Sequence, residues 1–195
     1  MAENRTDLGR DLGRIAVFAA LIVVFGMVTV PLPGGVPITA QTLGVMLAGA
    51  VLGPRRGPLA VLVVLALAAV GLPVLAGGRG GLGVFVGPTA GYLVGWVAGA
   101  LVIGLIVHGG RITWWRTALG TVLGGILVIY LFGIPVQALV LGVDLGPTAL
   151  SSLAFLPGDL LKAAAATALT LALRRAYPPA FGVRSFASQS SAHAG

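Results

Sequence analysis

The stretch Phe155-Leu156-Pro157-Gly158-Asp159-Leu160-Leu161-Lys162 places an acid and a base at the start of an apolar run that continues to Leu173. An apolar run of this kind is typical of a membrane-spanning helix, in which a central Asp or Lys costs about 2.5–3.5 kcal/mol. Spaced three residues apart, Asp159 and Lys162 share one helical face and can offset each other's charge. Two interpretations follow: a structural ion pair within a helix bundle, or a polar floor for a bound ligand.

The composition predicts an all-α integral membrane protein. Apolar residues make up 57% of the chain and charged residues only 9%, whereas a soluble domain carries about 25% charged residues. The net charge of +7 does not indicate nucleic-acid binding, because the basic residues lie in short joints between apolar runs. The chain has no cysteine, which excludes disulfides, thiolate catalysis and cysteine metal sites.

Six transmembrane helices account best for the apolar runs, and five or seven remain open. Strong turn signals separate the runs, including Pro31-Leu32-Pro33-Gly34-Gly35 and Gly53-Pro54-Arg55-Arg56-Gly57-Pro58. The fifth run is expected to break at Gly133-Ile134-Pro135. The predicted spans are 12–30, 38–52, 59–75, 82–107, a fifth from residue 114, and a last one over 157–173 or, more broadly, 148–173.

The distribution of arginine orients this topology. With both termini in the cytoplasm, Arg79 is the only basic residue in an external loop, and Lys162 lies within a span. This bias agrees with the positive-inside rule. The expected location is the cell inner (plasma) membrane. The predicted organisation is a cytoplasmic segment at 1–14, a six-helix membrane domain at 15–175 and a disordered cytoplasmic tail at 176–195. Ten arginines are then cytoplasmic: Arg5, Arg10, Arg14, Arg55, Arg56, Arg111, Arg116, Arg174, Arg175 and Arg184.

Motifs for catalysis or for a cofactor are lacking in the sequence. Gly78, Gly80 and Gly83 match the dinucleotide pattern G-x-G-x-x-G, but no strand precedes them and no acid follows at the required distance. The sequence contains no Walker A motif, and His108 and His193 lack the spacing of metal ligands. We therefore expect a protein that binds rather than an enzyme, without a cofactor or metal.

Small residues recur at helical spacing in two spans. Gly87, Gly91, Gly95 and Gly99 lie four apart in the fourth span and predict a face for close helix packing. Ala16 and Ala20 form a similar pair in the first span.

Polar residues gather toward the predicted outer side of the bundle. They offer donors, acceptors, one carboxylate and two cations, which suits a small polar or anionic solute, and the glycine-rich loops above them could act as a lid. The cluster consists of Thr39, Gln41, Thr42, Arg79, Thr89, Tyr92, Asp159 and Lys162.

Several of these segments resemble the BioY family, the biotin-binding S components of energy-coupling-factor (ECF) transporters. The resemblance extends from about Ile15 to Arg175 and is carried by the following motifs: Val36-Pro37-Ile38-Thr39-Ala40-Gln41-Thr42-Leu43, Leu52-Gly53-Pro54-Arg55-Arg56-Gly57, Gly71-Leu72-Pro73-Val74, Ala76-Gly77-Gly78-Arg79-Gly80-Gly81, Gly87-Pro88-Thr89-Ala90-Gly91-Tyr92-Leu93-Val94-Gly95 and Pro157-Gly158-Asp159-Leu160-Leu161-Lys162. It implies a six-helix membrane protein that captures biotin at the outer face. Its implied partners are a transmembrane T component and two cytoplasmic ATPase subunits.

The resemblance also implies roles for individual residues. Asp159 and Lys162 match the last-helix signature and would contact biotin, and Tyr92 with Gly91 and Thr89 would lie beneath the loop that carries Arg79. As a working hypothesis, Asp159 accepts a hydrogen bond from a ureido N–H, while Lys162 or Arg79 binds the carboxylate.

Two further points accompany the resemblance. Ala16 and Ala20 resemble the small-residue patch that meets the T component, and Ala90 stands where the family often has a second glycine. Two alternatives stay open: an S component for another small vitamin, or a stand-alone transporter that uses Asp159 as a proton site.

Overall fold

The computed structural model describes residues 2–30 and 38–181 of the chain. Helices dominate, and one antiparallel pair of two-residue strands, β1 (Thr29–Val30) and β2 (Ile38–Thr39), accompanies them. Short 3₁₀ turns lie at Ala76–Gly78, Leu82–Phe85, Leu153–Phe155 and Pro178–Phe181. The helices are α1 (Ala2–Gly26), α2 (Gln41–Ala69), α3 (Ala90–His108), α4 (Trp114–Val122), α5 (Ile129–Leu141), α6 (Leu145–Ser152) and α7 (Leu156–Ala176).

Both ends of the described chain differ from the predicted organisation. α1 begins at Ala2, so no helix boundary falls at residue 14, and it ends at Gly26 rather than at residue 30 because the strand pair follows. At the other end, Pro178–Phe181 form a 3₁₀ turn and the Phe181 side chain is buried. The start of the predicted tail is therefore packed against the protein. The rest of that tail, 182–195, lies outside the described residues.

α2 is a hairpin of two helical arms. Gly53 has φ 81° and ψ −173°, a conformation open to glycine, and Pro54 then occupies the first turn of the second arm. A Cβ atom built on Gly57 would lie 2.9 Å from the carbonyl oxygen of Ala48, nine positions earlier. The second arm therefore folds back along the first, and the predicted break at residues 53–58 is confirmed.

The predicted break at Gly133-Ile134-Pro135 is wrong. α5 continues through Pro135, and the irregularity lies earlier, in the π-helical segment Leu123–Val128 that joins α4 to α5. Pro within a membrane helix is tolerated because neighbouring helices and local adjustments satisfy the backbone group that it frees.

Glycines of α3 let it approach α5 and the π-helical segment closely. A Cβ atom on Gly95 would lie 2.9 Å from the Cα atom of Ile129, and one on Gly99 would lie 2.5 Å from the carbonyl oxygen of Gly124. The predicted packing face is thus confirmed for the glycines within α3. Gly87 is not part of it, because the helix begins only at Ala90, after Pro88.

The bundle is built for a membrane. Within the described part of the chain, four helical stretches are long and apolar enough to cross one: Gln41–Ala69, Ala90–His108, Trp114–Leu141 and Leu145–Ala176. Large apolar side chains such as Leu139 and Leu161 are 82% and 72% exposed on its outside, where a soluble protein would carry charges. The chain is therefore an α-helical integral membrane protein.

Arginines gather at one end of the bundle. Arg56 pairs with Asp11 at 2.7 Å, which joins the α2 hairpin to α1. Arg116 donates two hydrogen bonds to the Ile106 carbonyl, and Arg174 donates one to the Ile112 carbonyl. The Arg116 contact joins α4 to the end of α3, and the Arg174 contact joins the end of α7 to the α3–α4 connection.

Candidate substrate-binding site

A cavity opens at the end of the bundle opposite Arg56, Arg116 and Arg174. The start of α2, the loop at 75–79, the start of α3, the α4–α5 region and the start of α7 all contribute to it. Its polar lining consists of Thr39, Gln41, Thr42, Arg79, Thr89, Tyr92, Tyr130, Asp159 and Lys162. Its apolar lining consists of Leu75, Ala76, Leu93, Trp96, Gly125, Ile129 and Phe155.

The floor of the cavity is an ion pair. Lys162 Nζ lies 2.8 Å from Asp159 Oδ1 and also donates to the Thr42 hydroxyl at 3.1 Å. The Tyr130 hydroxyl donates to Asp159 Oδ2 at 2.8 Å. Asp159 is 5% exposed and lies in the first turn of α7, where the helix dipole favours a carboxylate. The pair thus links α2, α5 and α7 while it forms part of the cavity wall.

Gln41 holds the loop that borders the cavity. Its side chain is 1% exposed; Nε2 donates to the Val74 carbonyl at 3.1 Å and Oε1 accepts from the Ala76 N–H at 3.0 Å. Thr39 Oγ1 in turn accepts from the Gln41 N–H at 3.2 Å, at the start of α2. Gln41 therefore acts on the site through the loop backbone, with its amide engaged inside the protein.

Arg79 sits in the same loop. Its Nε donates to the Ala76 carbonyl at 3.1 Å, and no carboxylate pairs with it among the side chains that the structure describes. The guanidinium is planar and carries five N–H donors in all, so most of them are left for an anionic group.

Two tyrosines connect the cavity wall to the ion pair. The Tyr92 hydroxyl donates to Gln137 Oε1 at 2.8 Å, and its ring meets that of Tyr130 edge-on at 6.5 Å. Buried tyrosines normally satisfy their hydroxyl with a partner, and the rings supply flat apolar contact area. Together with Trp96, 6% exposed, they give the site an aromatic side next to its charged floor.

The structure brings most of the predicted site residues together. The residues that line the cavity are Thr39, Gln41, Arg79, Thr89, Tyr92, Asp159 and Lys162. Gly91 does not line it: this glycine faces the backbone of Phe132 on α5 and the side chain of Val136. Ala16 and Ala20 lie apart from the cavity, exposed on the outer face of α1.

Sequence reasoning missed the aromatic lining residues Tyr130, Trp96 and Phe155. A signal for Tyr130 was available, since a hydroxyl within an apolar span needs a partner. The partner itself, Asp159, is 29 positions away and could be identified only from the fold.

Comparisons with known proteins agree with this architecture. The BioY family model matches residues 2–179. The biotin transporter BioY of Rhizobium etli is 50% identical over 179 residues, covering 87% of this chain and 95% of that protein. The corresponding protein of Rhodobacter capsulatus is 54% identical over 168 residues, covering 78% and 87%. A crystal structure of the S-component for biotin from an ECF-type ABC transporter superposes with a TM-score of 0.81 at 32% identity, covering 87% of this chain and 93% of that one. The chain belongs to the BioY family.

Proposed function

We propose that this protein is the biotin-binding S component of an ECF-type transporter in the cell inner (plasma) membrane. The observation that carries the proposal is the cavity itself, in which a buried ion pair, a loop arginine and an aromatic wall converge. Biotin combines a polar ureido ring, an apolar thiophane ring fused to it and a valerate carboxylate, and each has a chemically matching group here.

The proposed topology has six spans with both termini in the cytoplasm. The spans are α1, the two arms of α2, α3, the continuous α4–α5 stretch and α6 with α7. The arginine-rich end is then cytoplasmic by the positive-inside rule, and the cavity faces outward.

Asp159 is the proposed acceptor for a ureido N–H. Its carboxylate borders the cavity, and the Tyr92 and Trp96 rings beside it can pack on the thiophane ring. Arg79 suits the valerate carboxylate better than Lys162 does, because the Lys162 charge is already offset by Asp159 at 2.8 Å. A second carboxylate close to that pair would be repelled by Asp159.

Ligand access requires movement of the loop. The free space within the cavity is about 70 Å³, whereas pockets for drug-sized ligands measure about 300–1,000 Å³. Gly77, Gly78 and Gly81 in the loop have φ of 70°, 71° and 83°, and residues without a Cβ atom allow such a segment to change shape. The loop at 75–81 is thus the proposed lid.

Partner docking is proposed on α1. Ala16 and Ala20 are exposed there together with Gly9 and Gly13, so a helix of the T component could approach the α1 backbone closely. Two ATPase subunits bound to that component would supply the energy, since this sequence has no Walker A motif.

The test is calorimetric titration of the detergent-purified chain with biotin, beside Asp159→Asn and the matched control Asp144→Asn. Asp144 is exposed and precedes α6, outside the cavity lining. We expect one-to-one binding that weakens in Asp159→Asn alone. No binding by folded wild-type protein would refute the biotin assignment and favour another vitamin or a proton-coupled transporter.

A further inference from the structure

A second cavity lies at the arginine-rich end, between the start of α4 and the end of α7. Its volume is about 560 Å³, and its lining includes Thr113, Trp114, Arg174 and Arg175. It is remote from the substrate cavity and shares no lining residue with it. No role in biotin capture accounts for it.

The polar lining of this second cavity suits an anion. Arg175 is exposed, Arg174 uses one N–H on the Ile112 carbonyl, and no carboxylate pairs with either among the described residues. The Thr113 hydroxyl is buried there and has no hydrogen-bond partner within the described part of the chain. Two guanidinium groups and a hydroxyl of this kind match the phosphate of a lipid headgroup.

The position of the second cavity relative to the membrane also matches that of a lipid headgroup. Trp114 and Trp115 are 69% and 52% exposed beside it, and exposed tryptophans of membrane proteins settle at the boundary between headgroups and hydrocarbon.

An apolar groove continues from this cavity along α7. The groove has a volume of about 460 Å³, is lined by Ala118, Ala164, Thr167 and Ala168 among others, and shares Leu171 with the second cavity. Thr167 donates to the Ala163 carbonyl at 2.8 Å, which uses its hydroxyl within the protein. The groove therefore presents small apolar surface to the hydrocarbon.

The length of the groove fits an acyl chain. From Leu160 to Leu171, α7 rises about 16 Å at 1.5 Å per residue, and one leaflet of a bilayer has a hydrocarbon thickness of about 15 Å. The second cavity lies at one end of this length of α7, and the groove extends along the remainder.

We propose that these two surfaces together bind one anionic phospholipid, with its phosphate between Arg174 and Arg175 and an acyl chain along the α4–α7 groove. Free phosphate would use only the cavity, and a partner helix would use only the groove; the continuity of the two favours a lipid. Anionic lipids concentrate in the cytoplasmic leaflet, the side on which the positive-inside rule places this end.

Native mass spectrometry of wild type in micelles with equal phosphatidylglycerol and phosphatidylcholine tests the proposal. We expect one retained phosphatidylglycerol, about tenfold or more above phosphatidylcholine. Arg175→Gln should lower that retention about fivefold, the effect of one basic side chain near an anionic surface. Arg55→Gln, an exposed arginine at the same end, is the charge-matched control and should leave it unchanged.

Ala168→Leu probes the groove separately. Ala168 faces outward, so the larger side chain fills the groove without entering the core, and retention of both lipids should fall. Thermal unfolding of each variant verifies that it is folded. Equal retention of the two lipids, or equal losses in Arg175→Gln and Arg55→Gln, overturns the proposal. If inorganic phosphate displaces the lipid completely and Ala168→Leu retains as much lipid as the wild type, the second cavity is a simple anion site and the lipid proposal is overturned. A protein dimer without bound lipid would show that a second copy of the chain covers this surface, which also overturns the proposal.

Discussion

Breaking the Asp159–Lys162 pair tests whether the pair stabilises the fold, contributes to ligand binding, or does both. The two side chains are only 7% and 15% exposed, so Lys162→Met leaves the Asp159 charge buried with the Tyr130 hydroxyl as its remaining partner. Removing one member of a buried pair costs about 3–5 kcal/mol. For a chain of this size, that corresponds to a melting temperature lower by about 6–20 °C.

The double variant Asp159→Leu/Lys162→Met removes both charges. Replacing a buried pair by apolar residues is often close to neutral, so we expect it to melt above either single variant. The control is Arg56→Met, which breaks an ion pair whose side chains are 36% and 29% exposed and should cost less than about 1 kcal/mol.

The assay is thermal unfolding in detergent followed by tryptophan fluorescence, with biotin titration of every variant that folds. A Lys162→Met protein with the same melting temperature as the wild type would refute a stabilising role for the ion pair. If the stable double variant binds biotin as tightly as the wild type, the pair has no part in the ligand site. We expect the opposite: restored stability with biotin binding lost.

Three further changes test other parts of the structure. Arg79→Gln should weaken biotin binding at least about tenfold because a charged hydrogen bond is lost, but it should leave the binding of biotin methyl ester unchanged. Arg55→Gln is the charge-matched control. Equal losses of affinity for both ligands in Arg79→Gln would contradict a contact between Arg79 and the carboxylate. Gly95→Ala should destabilise the protein by about 1–3 kcal/mol because its Cβ atom would lie 2.9 Å from the α5 backbone. Gly158→Ala, with nothing within 4 Å, should be neutral or slightly stabilising in the same melting experiment, and equal effects would contradict the packing argument. Gln41→Leu removes both side-chain hydrogen bonds to the loop, so limited proteolysis at 75–81 should be faster than in wild type. An unchanged rate of cleavage would contradict the conclusion that Gln41 holds the loop in place.

Local signals in the sequence predicted some features well and others badly. The α2 hairpin follows from Gly53 and Pro54, because glycine permits the turn and proline begins the next helix. The break expected at Pro135 was wrong, since the packing of neighbouring helices overrides the local preference of proline. The start of α3 was placed eight residues too early, because apolar residues 82–85 continue the hydropathy of the helix while forming a 3₁₀ turn.

The residues of the candidate site also differ in how well the sequence predicts them. Charged and hydroxyl residues in apolar surroundings stand out in the sequence, so Asp159, Lys162 and Tyr92 could be singled out. Aromatic residues such as Trp96 resemble ordinary core residues until the fold brings them to a cavity. The tether formed by Gln41 was equally hidden, because its partners are backbone groups more than 30 positions away.

Gln41 and Thr42 are consecutive residues in the first turn of α2, and they hold different parts of the site. Gln41 binds the backbone of the loop, whereas Thr42 accepts a hydrogen bond from Lys162. A shift of this single turn therefore alters the loop and the ion pair at the same moment. We therefore expect movement of the loop and rearrangement of the ion pair to occur together, so a probe on either should report the same rate constant.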